Sequence, residues 1–143
     1  MRLRILPQRQ YPLSGKLLSV TQTLNAHGFT AGVLPANCPT RTVLDHVTSK
    51  WGVLVLIALT AEPTLRWGEL RRTVEGVSEK MLAQTLRTLE QDGLVLRVAL
   101  PVIPPHVEYS LTPRGRDLTD RLLPLMDWIA DNADDILAPS PLS

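Results

Sequence analysis

The side chains in this sequence best suited to chemistry are cations and amides gathered at helical spacing between Ser78 and Gln91. At about 100° per residue, Lys80, Gln84, Arg87, Thr88 and Gln91 share one face, while Leu82, Leu86 and Leu89 share the other. Such a helix can lay its polar side in the major groove of DNA, where arginine suits guanine and glutamine offers both a donor and an acceptor to a base edge. Lys80, near the helix start, suits phosphate or a base at the mouth of the groove, and Ser78 at the head of the helix is grouped with them. Arg71, Arg72, Arg97 and His106 suit phosphate or minor-groove contact, which fixes position rather than sequence. The plain alternative is a solvated helix face with no ligand.

Cys38 is the single cysteine, so an internal disulfide is excluded and a reducing compartment, the cytoplasm, is expected. It lies just ahead of Pro39 and Thr40 at the head of a helix, where the dipole and unpaired N–H groups favour a thiolate, and Arg41 lies within a turn. An inert, half-buried thiol is the alternative. His27, His46 and His106 are scattered without metal-ligand spacing, and His46, near an apolar helix, reads as structural. No phosphate loop, nucleophile elbow or zinc-protease motif is present, so neither an enzyme nor a cofactor is expected.

The elements that must position these groups follow from length and periodicity. A chain of 143 residues, 44% hydrophobic and 20% charged, suits one soluble domain with an aliphatic core, since aromatics are only 4%. No apolar run approaches the roughly 20 residues that cross a bilayer, and the start makes a poor signal peptide, so no membrane partner is expected. The net charge of +1 hides a gradient. Six bases stand against two acids up to Leu65, eight against six from Arg66 to Arg116, and Arg121 alone against six aspartates thereafter. Phosphate would be repelled by the C-terminal end, so DNA would meet the middle of the chain.

Residues 1–36, broken by glycine and proline, read as a loosely attached arm with one short helix conceivable near Lys16 to Ala26. Residues 37–138 form the domain and 139–143 a tail. Val43, Leu44 and Val47 give one side of a short helix, and Trp51 to Leu59 is apolar nearly all round, as a central helix should be. Trp67, Leu70 and Val74 stripe another short helix, Glu75-Gly76-Val77 is a tight break, and Ser78 caps the helix described above. Two short helices around a glycine turn make a helix-turn-helix. Alternation then sets in, with Leu94, Leu96 and Val98 expected on one side of a strand, and Val107, Tyr109 and Leu111 repeating the pattern after Pro101–His106. That two-stranded antiparallel hairpin is the wing. Thr112 and Pro113 open a long helix striped by Leu118, Leu122, Leu125 and Ile129, which Pro124 should kink. The fold class is therefore mainly α with a small antiparallel hairpin, a winged helix-turn-helix with a long C-terminal helix.

Several strings go further. Cys38-Pro39, Lys50-Trp51-Gly52, Arg66-Trp67-Gly68-Glu69-Leu70-Arg71-Arg72, Gly76-Val77-Ser78-Glu79-Lys80-Met81-Leu82, Leu89-Glu90-Gln91-Asp92-Gly93-Leu94-Val95 and Pro104-Pro105-His106-Val107-Glu108-Tyr109-Ser110-Leu111-Thr112 closely resemble the HxlR-type regulators, in order, from Cys38 to Trp128. Trp67 stands where that family often has phenylalanine. The resemblance implies a cytoplasmic homodimer that binds double-stranded palindromic operators through the helix-turn-helix and wing, and in some members senses oxidants or electrophiles at a cysteine placed like Cys38. The first helix and the long last helix, through Leu118, Leu122, Leu125 and Ile129, are expected to form the two-fold interface. Operator, effector and sign of regulation are open. Rival readings are a winged helix that docks on protein instead of DNA, and a thiol-based redox enzyme, for which Cys38 lacks a resolving partner.

Overall fold

The computed structural model describes residue 36 and residues 38–140; the arm before them, its conceivable short helix, His27 and the last three residues of the tail lie outside this range. Two units are distinguished, Met1–Thr42 and Val43–Ser143. In the first, the described part is Ala36, Cys38 and the opening turn of helix α1, Pro39–Thr48, with proline at the first helical position.

The second unit continues with α2 (Lys50–Ala61), strand β1 (Leu65–Arg66), α3 (Trp67–Thr73), α4 (Glu79–Gln91), β2 (Val95–Leu100), β3 (His106–Leu111) and α5 (Pro113–Leu137). Helix α2 is the centre. The Ser49 hydroxyl caps it by accepting the Gly52 N–H at 3.2 Å, and Val55, Leu56, Ala58 and Leu59 are buried. Around them close Leu70 of α3, Leu82, Leu86 and Leu89 of α4, Val95, Tyr109 and Leu111 of the sheet, and Leu122 of α5. Each such leucine stabilises the fold by roughly 1.5–3 kcal/mol through burial.

The wing differs from expectation in two ways. It is three-stranded, in the order β1-β3-β2, with Leu65 opposite Tyr109 and Arg66 opposite Glu108 in antiparallel pairing. A two-residue strand has too little sequence to show a period. The phase of β2 is also the reverse of the alternation expected. Val95 opposite Leu111 takes the core side, while Leu96 and Val98, opposite Ser110 and Glu108, are exposed. The chain leaves α4 with the Leu94 N–H bonded to the Leu89 carbonyl at 2.9 Å, so Leu94 belongs to the helix exit. It is buried for that reason and does not set the strand's alternation.

Helix α5 begins with the Thr112 hydroxyl accepting the Gly115 N–H at 3.0 Å, and is one helix through Pro124. Its buried residues, Gly115, Thr119 and Leu122, all lie in the first half.

Candidate nucleic-acid interface

The turn between α3 and α4 uses Gly76 at φ +87°, a left-handed conformation that a side chain would strain. Ser78 then caps α4, accepting the Met81 N–H at 3.1 Å, and Val77 and Leu82, both buried, clasp across the cap. Leu82, Thr85, Leu86 and Leu89 anchor the inner side of α4. Anchored this way, the helix turns Lys80, Gln84, Arg87 and Gln91 outward, all exposed. Thr88 sits on the flank and is half-buried. With Gln84, Met81, Thr85 and Leu89 it lines one wall of a cleft of about 190 Å³ whose other wall is Asp45, His46 and Ser49.

The surrounding cations divide. Arg71 bonds Glu79 through Nη1 at 2.8 Å, tying α3 to the first turn of α4. Arg72 is exposed beside it, and Glu69 accepts the Arg66 N–H at 2.7 Å to hold the start of α3. Among the described residues Lys80, Arg87 and Arg97 take part in no ion pair, so their charges face solvent. Arg97 is exposed on β2, opposite the buried Tyr109; His106 is half-buried, opposite Leu100 at the far end of the hairpin. The face thus offers unpaired cations and amides on a rigid helix, with Arg97 on the adjoining strand. That is the chemistry of phosphate and base-edge contact.

Two features lay beyond sequence reading. His46 bonds Asp92 at 2.7 Å between Nδ1 and Oδ2, a pairing across 46 positions that no local pattern signals. Gly115 lies so close to the Leu94 carbonyl that a Cβ there would collide with it. Of the expected interface stripe, Leu122 is buried in the chain's own core and Leu118 packs against it, whereas Leu125 and Ile129 are exposed together with Trp128.

Cys38 is half-exposed ahead of α1. Its thiol is held below the ordinary cysteine value, first by a hydrogen bond from the Thr40 side chain and then by the backbone N–H groups of Thr40 and Arg41, which outweigh partial burial. Among the described residues no group of three or more His, Cys, Asp or Glu side chains could hold a metal, and no single helix is long and apolar enough to cross a membrane.

Residues 46–136 match the family model described as HxlR-like helix-turn-helix. The HTH-type transcriptional regulator YtfH of Escherichia coli is 58% identical over 101 residues, 71% of this chain and 79% of that protein. A solved structure of the transcriptional regulator YtfH of Salmonella typhimurium superposes with a TM-score of 0.69 at 55% identity, over 74% of this chain and 94% of that one. The redox regulator HypR in its oxidized form superposes at 0.61 with 36% identity over 66% and 97%. Diamide-treated YodB of Bacillus subtilis does so at 0.57 with 30% identity over 68% and 96%. The chain is a winged helix-turn-helix transcriptional regulator, and it belongs to the HxlR-like helix-turn-helix family.

Proposed function

We propose that residues 37–138 form a sequence-specific DNA-binding domain that acts in the cytoplasm as a homodimer on a palindromic operator. The observation that carries this is the outward face of α4, where Lys80, Gln84 and Arg87 stand exposed and the two cations form no ion pair among the described residues, on a helix capped by Ser78. In this reading Gln84 and Arg87 meet base edges, with Thr88 at the flank of the same face. Arg71, Arg72, Arg97 and His106 rest on phosphate or in the minor groove. Two copies of α4 address half-sites one helical turn apart, about 34–36 Å.

The dimer is supported by apolar side chains left exposed on α1 and α5: Val43, Leu44, Leu125, Trp128 and Ile129. A response of Cys38 to oxidants or electrophiles is supported by its lowered thiol pKa and by the names of two structural relatives, a redox regulator and a protein treated with diamide. Titration of fluorescent duplex DNA at rising salt tests the core of the proposal. With 6–10 phosphates contacted, affinity should fall at least about a thousandfold between roughly 50 and 200 mM salt. A protein-docking winged helix would give no binding to DNA at any salt.

A further inference from the structure

Residues 43–48 of α1 are weakly held by packing. None of them is buried, Val43 and Leu44 are exposed, and only Val47 rests against the core. Two sets of hydrogen bonds hold residues 43–48 and the helix end. At its end, the Ser49 hydroxyl donates to the His46 carbonyl at 3.0 Å while accepting the Gly52 N–H, which sets the 65° elbow between α1 and α2. An elbow alone still lets one arm swing. The second attachment is the 2.7 Å bond from His46 to Asp92, the residue that ends α4.

The carboxylate of Asp92 only accepts, so His46 Nδ1 carries the proton, and the bond forms whether the ring is neutral or charged. Both side chains are largely shielded, at 33% and 21% exposure, and the cleft beside them leaves α1 and α4 without tight packing there. Asp92 is itself fixed. Its N–H bonds the carbonyls of Thr88 and Glu90, and its carbonyl accepts from Arg114 of α5 at 3.3 Å. We infer that His46 is a positioning residue for DNA recognition: a strut that closes the triangle of α1, α2 and α4 and so sets the angle of the recognition helix against the subunit interface.

This rests on the dimeric operator reading above. If α1 lies at the two-fold axis, the strut determines the separation of the two α4 copies, and hence how strictly the spacing of the half-sites is read. The test uses the full chain and an operator recovered by selection from a random duplex pool, with spacers lengthened or shortened by one base pair. His46→Leu and His46→Asn have nearly the same shape, and asparagine keeps a donor where Nδ1 stands. His46→Leu should lose about tenfold in operator affinity, near the low end of what a hydrogen bond to a charged group contributes. It should also tolerate altered spacers that the parent rejects, while random-duplex affinity and dimer dissociation stay unchanged. His46→Asn should restore both affinity and spacer discrimination.

Asp92→Ala should reproduce His46→Leu, and the double variant should be no worse than either single one; this arm stands if His46→Leu folds poorly. A His46→Leu protein that still rejects altered spacers, or a His46→Asn protein that behaves like His46→Leu, overturns the strut. A parent that is monomeric, or indifferent to spacing, instead overturns the dimeric operator reading, and that is visible before any variant is made.

Discussion

Arg87 and Arg97 are both exposed arginines without an ion pair among the described residues, yet their settings assign them different work. Arg87 projects from the middle of α4, where a guanidinium can meet one guanine edge. Arg87→Ala should therefore cost about 1–3 kcal/mol on the operator and relax preference at one position per half-site. Arg97 projects from a strand of the wing, so Arg97→Ala should weaken all duplexes alike and reduce the salt slope by about one unit. Fluorescence anisotropy on selected and scrambled duplexes reads both, and equal losses on both duplexes for Arg87→Ala would remove it from the reading face. At Cys38 the hydroxyl of Thr40 gives the largest push toward thiolate. Hydrogen bonds to the charged form lower a pKa, so iodoacetamide labelling of Cys38 should rise at lower pH than for a free cysteine. Thr40→Val, which keeps the shape and removes the donor, should move that rise back to higher pH. A labelling curve unmoved by Thr40→Val would show that the hydroxyl does not set the thiol.

At the scale of elements, the entry of α5 is wedged against the exit of α4. Thr112 donates its hydroxyl to the Gly93 carbonyl at 2.6 Å and its N–H to the Leu94 carbonyl at 3.1 Å, and buried Gly115 admits Leu94 alongside. A methyl group at 115 meets a backbone carbonyl rather than a flexible side chain. Gly115→Ala should accordingly destabilise the domain by about 1–3 kcal/mol, the usual cost of overpacking, as a lower midpoint of urea unfolding. An unchanged midpoint would mean that α5 is free to shift. The same junction shows what the sequence could and could not tell. The order of helices, the Ser78 and Thr112 caps and the outward set Lys80, Gln84 and Arg87 were legible because caps and helical periods are local. Strand β1 was too short to carry a period, and the phase of β2 was misread because Leu94 is buried by the helix exit instead of by the sheet. The His46–Asp92 bond was invisible because only the tertiary fold brings the two together.

At the scale of the whole molecule, an amphipathic stripe does not say whose core it enters. On α5 the stripe divides, with Leu122 entering the chain's own core while Leu125, Trp128 and Ile129 remain on the surface, the first two at 51% exposure. Residues 123–137 contain no buried residue, although the helix continues through them. A helix segment of about fifteen residues is marginal in water by itself, so its persistence calls for a partner surface. The acidic side of α5, from Asp117 to Asp135, repels phosphate, which favours protein over DNA as that partner; in the proposed dimer a second copy of α5 would offer the same apolar row. Leu125→Asp places a charge in that row without touching the core. It should therefore yield a folded monomer by sedimentation, with thermal unfolding little changed at a given subunit concentration apart from the lost dimer. Operator binding should collapse toward the affinity of a single half-site, because one α4 makes half the contacts. Leu122→Asp, by contrast, buries a carboxylate in the core and should fail to fold. A Leu125→Asp protein that still sediments as a dimer would place the two-fold contact elsewhere, and a parent that is already monomeric would remove the interface altogether.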